Sequence, residues 1–393
     1  MPDTPDRAVK KGAFQTAPVL ALSASHFIHD AYSSFLAPLL PLLIEKLSMT
    51  LTQAGFLTTV MQLPSLLNPF IGSLADRISV RYFIILAPAM TAIPMSLIGV
   101  APNYGVLLLL MFIAGVSVSV FHVPAPVMVS KVSGDKVGRG MSFFMTGGEL
   151  ARTIGPMIAV GAVALLGLEG FYPVMVVGIL SSLWLYLRFH DVPVGVKSSR
   201  KTPIAQTWRE MQHILAPLSV ILVARGFMHA SMTAFLPTFI QAETGNLWLA
   251  GFALTIFESA GVLGVMTAGS ISDTLGRRRV LMISLMGAPV SLFLFTWTGG
   301  WARVAALLFT GLLLLSTTPV MLAMVQENAK SSPAAANGFF MMMSFIARSA
   351  VVVVVGYLGD MYGLRATYYL SAAVGLVGVP FVFFLKPRQA TGG

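Results

Sequence analysis

Residues 23–43 read SASHFIHDAYSSFLAPLLPLL, an apolar run long enough to enter a membrane that carries His26, His29 and Asp30 within one turn. A lone charge at mid-bilayer costs about 2.5–3.5 kcal/mol on insertion scales, so such a span needs a polar interior to face. The pattern returns in the second half of the chain. HFIHDAYSSFL (26–36) aligns with GFMHASMTAFL (226–236), matching Phe27, His29, Phe35 and Leu36 to Phe227, His229, Phe235 and Leu236. GSLAD (72–76) meets GSISD (269–273), and SFFMTGGELAR (142–152) lies over GFFMMMSFIAR (338–348), pairing Arg152 with Arg348. Three matches in one order at nearly one offset indicate a duplicated bundle.

Composition agrees with a membrane setting. The 393 residues are 56% hydrophobic and only 10% charged, against about 25% charged in soluble domains. The net charge of +10 is a topology signal, because 19 of the 25 Lys and Arg fall in the termini and alternate loops, as the positive-inside rule requires. Only Lys46, Arg303 and Arg365 fall on the opposite face, and Arg152, Arg225 and Arg348 lie within spans. Nucleic acid is therefore not an expected partner. The absence of cysteine excludes disulfides and thiolate metal sites.

Apolar runs of roughly 20 residues predict twelve spans near 17–45, 52–75, 82–101, 104–131, 139–166, 170–189, 213–242, 247–272, 279–299, 301–326, 335–358 and 366–386. The expected fold is an all-α polytopic membrane protein: a tail (1–16), a six-helix bundle (17–189), a linker (190–212), a second six-helix bundle (213–386) and a short tail (387–393). Both tails and the linker are expected on the cytoplasmic side of a bacterial-type inner membrane. Span 1 is expected to remain as an uncleaved anchor, since no small-residue cleavage site follows the polar tail. Two related bundles imply a pathway between them with alternating access by rocking.

GSLADRISVR (72–81) and GSISDTLGRRR (269–279) resemble the loop signature of the major facilitator superfamily. The first copy keeps Gly72, Asp76 and Arg77 but departs at Ser79 and Val80; the second keeps Gly269, Asp273 and Arg277. The glycines are expected to allow close helix approach, and the resemblance implies that these residues latch one face. Gly155-Pro156, in ELARTIGPMIAVG (149–161), resembles the Gly-Pro signature of the superfamily's proton antiporters, although Ala159 and Val160 replace its following glycines. FHVPAP (121–126), the polar first span and a Gly147-Gly148 turn are similar to the fosmidomycin-resistance-type exporters. The resemblance implies a proton-coupled drug exporter in which Asp30 carries the proton.

The intraspan charges divide into three acids, Asp30, Glu149 and Glu258, and three bases, Arg152, Arg225 and Arg348. At a spacing of four, His26 and Asp30 share a helix face with His29 beside them, and Arg225 and His229 form the matching face of span 7. A carboxylate beside imidazoles suits proton handling, so His26, His29, Asp30 and Glu258 are the proton-coupling candidates. Arg152, Arg225, Arg348, His229, His122 and Glu149 are the substrate-binding candidates, with Arg152 and Arg348 placed to grip an anion bidentately. The plainer readings make Asp30 a counter-ion to Arg225 or Arg348, Glu149–Arg152 a structural pair, and the histidines packing residues. No metal site and no cofactor are expected; the proton gradient would supply the energy. The expected function is proton-coupled efflux of a small organic compound, an anion or a drug, by a monomer. Uptake of an organic anion is the second reading, and an intramembrane metalloenzyme the third.

Overall fold

A computed structural model describes residues 14–68, 71, 81–134, 136–190, 204–328 and 333–385. Gly72, Asp76 and Arg77 lie outside the described residues, as do both chain ends. The first half contains α1 (Thr16–Ser33), α2 (Leu36–Leu47), α3 (Leu51–Gln62), α4 (Arg81–Leu97), α5 (Tyr104–His122), α6 (Ala125–Val132), α7 (Val137–Leu166) and α8 (Met175–Phe189). The second contains α9 (Ile204–Ala234), α10 (Leu236–Thr244), α11 (Leu247–Leu275), α12 (Arg277–Trp297), α13 (Gly300–Asn328) and α14 (Pro333–Leu376).

Among the described residues, ten segments are long and apolar enough to cross a membrane. The last, Gly338–Phe384, has 47 residues, about 70 Å at 1.5 Å per residue and twice what a ~30 Å core requires. Gly363 breaks it with φ 79° and ψ 155°, a turn that glycine enters without steric cost. Together with α3 and its 3-10 extension Leu63–Leu67, the described residues account for twelve spans. Starts are set by local capping: Thr50 and Gln53 form a reciprocal box at α3, and Asn103 and Asn246 accept from the first turns of α5 and α11, supplying partners to otherwise orphaned N–H groups. Span 7 begins earlier than expected, since residues 204–212 of the anticipated linker are already helical.

Three spans expected to be continuous are interrupted. Span 1 breaks at Ser34–Phe35, span 4 at Val123–Pro124 and span 7 at Phe235. Proline explains the first two: Pro38 and Pro126 lack the N–H that Ser34 and His122 carbonyls would otherwise accept four residues earlier. Pro237 sits in the first turn of α10. The breaks at Phe35 and Phe235 fall at positions matched by the sequence repeat, so the duplication extends to the irregularity itself. Discontinuous helices place polar side chains and free backbone groups near the middle of the membrane.

Close glycine contacts hold the helices together. A Cβ on Gly147 would lie 2.3 Å from the Ser23 carbonyl oxygen, and one on Gly155 would lie 2.0 Å from Ser34 Oγ, so α7 rests directly on α1 beside its break. Gly147-Gly148 is thus no turn; it lies inside an uninterrupted helix. Between the halves, Gly55 on α3 approaches the Val352 carbonyl of α14, where a Cβ would sit at 2.6 Å, and Gly356 approaches the Leu51 carbonyl at 2.3 Å. Gly269 differs from expectation. Among the described residues nothing lies within 4 Å of the position a Cβ would take, so it makes no close helix contact with them.

The halves meet at one face through Asp360, whose Oδ1 accepts from Leu51 N–H at 2.7 Å and whose Oδ2 accepts from Thr52 N–H at 2.9 Å and Thr52 Oγ1 at 2.5 Å. A carboxylate on the first N–H groups of α3 is favoured both by hydrogen bonding and by the helix dipole. The three bases assigned to this face are all paired: Lys46 with Glu169 at 2.7 Å, Arg303 with Glu243 at 2.6 Å, and Arg365 with the same Glu243. The Lys46 ammonium holds the exposed Glu169 carboxyl below its ordinary range. At the opposite face Arg277 joins Asp273, the Gly269 carbonyl and Glu327 of α13, tying the second-half motif to its own bundle.

Asp360→Ala should loosen the contact between the halves by about 1 kcal/mol, the value for a charge-assisted contact discounted for solvent exposure, or roughly fivefold in population. Since the chain has no cysteine, a Thr59→Cys probe, at the α3–α14 contact where Thr59 Oγ1 donates to the Ser349 carbonyl, reads this directly. Maleimide labelling should accelerate in the Asp360→Ala background, and an unchanged rate would remove Asp360 from the latch.

Candidate functional site

Asp30 lies in the last turn of α1, where its backbone carbonyl accepts from Ser33 Oγ and the Ser34 N–H. Its carboxylate faces three imidazoles. His29 Nδ1 lies 2.9 Å from Oδ1, His26 Nε2 3.2 Å from Oδ2 and His122 Nε2 3.4 Å from Oδ1. His122 is the last residue of α5, freed by the break that Pro126 imposes. The rings are held by aromatic neighbours: His26 stacks on Phe144 at 4.1 Å and His29 on Phe121 at 4.4 Å. Asp30, His26 and His29 are buried, whereas the His122 side chain is 38% exposed and forms the opening of the cluster.

Partners fix the tautomers of two rings. His26 Nδ1 lies 2.8 Å from the Phe144 carbonyl oxygen and His122 Nδ1 2.9 Å from that of Val118. A carbonyl only accepts, so each Nδ1 carries the hydrogen. In neutral rings the Nε2 lone pairs would then face an anionic carboxylate at 3.2 and 3.4 Å. That arrangement is repulsive unless the cluster holds an added cation, a proton or a metal ion. The plain reading of Asp30 as counter-ion to Arg225 or Arg348 is not what the structure has, because its partners are histidines.

The second constellation lies in the other half. Arg225, His229, Thr318, Met341, Ser344 and Arg348 line a cavity of about 80 Å³, room for several waters or one carboxylate or phosphonate headgroup. Arg225 donates to Thr318 Oγ1 at 3.0 Å, while its buried Nε has no partner. Arg348 rests over the Phe345 ring at 5.0 Å. Among the described residues, neither guanidinium has a carboxylate within ion-pair distance, and each is close enough to repel the other. Two such charges cost about 5–7 kcal/mol before water relieves them, so the cavity favours an anion.

Arg152 connects the two constellations. It pairs with Glu149 one turn away on α7 and interacts electrostatically with Asp30 and with Glu258 of α11. Its field also reaches His122, His229 and Arg348. The Glu149–Arg152 pair of the plainer reading is present, Arg152 lies within electrostatic reach of Arg348, and Arg225 shares the cavity with Arg348. His229 lines this cavity, unlike its repeat mate His29. Gly155 supports the α7–α1 contact, and Pro156 lies beside it inside α7. Thr318, Met341 and Ser344 were missed by sequence reasoning. FFMMMSF (339–345) has the look of apolar filler, and nothing marks Thr318 beyond the adjacent Pro319.

A two-halved helical bundle enclosing buried charges of both signs defines a membrane transporter, not an enzyme. The sequence matches the Major Facilitator Superfamily over residues 22–250 and 218–393, and the chain belongs to that family. It is 26% identical over 382 residues to the fosmidomycin resistance protein of Escherichia coli (strain K12), covering 94% of this chain and 93% of that protein. The uncharacterized MFS-type transporter YfnC of Bacillus subtilis (strain 168) is 24% identical, covering 98% and 96%. Among solved structures, a bacterial homolog of the human lysosomal transporter Spinster, inward-facing and unoccupied, superposes with a TM-score of 0.80 at 16% identity, covering 96% of this chain and 99% of that one.

Gly148 tests the seat of His26. A Cβ there would lie 2.6 Å from the imidazole, a ring already pinned by Phe144, so Gly148→Ala should destabilise by about 1–3 kcal/mol through overpacking. Thermal melting of the solubilised protein measures this, and adding His26→Ala should recover most of the loss. Additive losses would mean that the ring is free to move.

Proposed function

We propose that this chain is a proton-coupled antiporter that exports small organic anions, with both termini cytoplasmic in a bacterial inner membrane and the monomer as the working unit. The observation that carries the reading is the pair of guanidiniums, buried Arg225 and half-buried Arg348, sharing one cavity without a carboxylate partner among the described residues. A bound carboxylate or phosphonate offsets their cost and presents bidentate acceptors to both. The His26–His29–Asp30–His122 cluster supplies the coupling. Its fixed Nδ1–H groups leave a place for one proton between carboxylate and imidazole, and the exposed edge of His122 gives that proton a route in. Glu258 and Arg152 link proton and substrate: the Arg152 field adds to that of Arg348 when Glu149 is its only partner, and weakens as Glu258 deprotonates.

In this orientation Asp360 joins the two halves at the external face. Drug resistance in the Escherichia coli relative supports export as the direction. The test is transport in proteoliposomes with an imposed proton gradient, using phosphonates, organic acids and cationic dyes. Asp30→Asn should abolish pH-driven exchange while leaving substrate counterflow. Arg225→Ala and Arg348→Ala should each weaken anion binding at least tenfold, as expected for loss of a charge-assisted hydrogen bond of 1.5–3 kcal/mol, with neutral substrates little affected. Equal losses for neutral compounds and anions would overturn the anion site, and unchanged coupling in Asp30→Asn would remove that residue from the mechanism.

A further inference from the structure

We propose that His26, Asp30 and His122 form a binding site for a divalent transition-metal ion of the zinc type, in the first half of the chain and apart from the arginine cavity. Their donor atoms, one from each residue, all lie within 4.8 Å of one another. His26 Nε2 lies 3.2 Å from Asp30 Oδ2 and His122 Nε2 3.4 Å from Asp30 Oδ1, so two imidazole lone pairs face the two oxygens of one carboxylate, and His26 Nε2 makes no hydrogen bond. An ion held between the Nε2 atoms and the carboxylate, at bonds of about 2.0–2.1 Å, turns that repulsion into coordination.

The surroundings are those of metal ligands. Both Nδ1–H groups are anchored on backbone carbonyls, Phe144 for His26 and Val118 for His122, an outer-shell pattern that fixes the tautomer and turns Nε2 toward the ion. His29 takes the same role for the carboxylate, holding Oδ1 at 2.9 Å. Two imidazoles and one carboxylate leave a fourth position open, as in sites that exchange a ligand, and the exposed edge of His122 gives access to it. Nitrogen and oxygen donors without sulfur suit Zn²⁺, Co²⁺ or Ni²⁺. The net charge permits occupancy, since Arg152, the cation in electrostatic reach of His122, is paired with Glu149.

The experiment is equilibrium dialysis of the full-length, metal-stripped protein in detergent against Zn²⁺, followed by the visible spectrum of the Co²⁺ form. One ion per chain is expected. Loss of a ligand exceeds the 10–100-fold cost of losing an outer-shell partner, so His26→Ala and His122→Ala should each weaken binding by at least about a hundredfold. His190→Ala and His213→Ala should bind as the parent does. His122→Cys guards against misfolding: it should keep the ion and add a thiolate-to-cobalt charge-transfer band. No stoichiometric zinc, or equal binding in the His26→Ala and His122→Ala variants, overturns the proposal. It shares His26, Asp30 and His122 with the proton-coupling cluster proposed above, and the outcomes separate the two readings. Zinc bound without proton-driven exchange upholds the site and sinks the antiport, whereas exchange in metal-free buffer with no zinc bound does the reverse.

Discussion

A full charge placed in hydrocarbon has to be enclosed, and that constraint organises this molecule. Six ionised side chains within spans are tolerable only where they face one another or water. The interruptions of spans 1, 4 and 7 follow from the same constraint. Asp30 and His122 sit at the ends of broken helices, where backbone groups are already freed. Glycines at 147, 148 and 155 then bring α7 against α1, so that Arg152, paired with Glu149, lies within electrostatic reach of Asp30 and Glu258. Remove the enclosure and each of these residues becomes a liability to insertion.

Much of this was legible in the sequence because hydropathy, charge asymmetry and duplication are one-dimensional signals. The spans, the bases on alternate loops and the clustering of His26, His29 and Asp30 follow from spacing alone. The arrival of His122 beside Asp30 does not. It depends on where span 4 breaks and how it crosses span 1, which FHVPAP announces only as a proline-rich interruption. The difference between the arginines is legible in the sequence as well. Arg152 and Arg348 occupy repeat-equivalent positions, but Glu149 lies one turn before Arg152, whereas Phe345 stands at the matching place before Arg348. A single side chain makes one arginine compensated and the other available. Gly269 shows a different failure: its motif was recognised, but among the described residues it makes no close helix contact.

The divergence between copies carries the argument furthest. At the offset of the first repeat, Asp30 corresponds to Ala230 and Ser25 to Arg225, while His29 and His229 are retained. One copy kept an acid beneath its histidine and the other gained a base one turn before it. Each bundle therefore holds an excess of one sign, and neither can neutralise itself. Arg152, anchored by Glu149 in the first half, reaches Arg348 of the second with its field. Coulomb interactions in a poorly screened interior extend over several residues, so a change of charge in one constellation is felt in the other without direct contact. Opposite charge in related frames is what couples two halves that otherwise look alike.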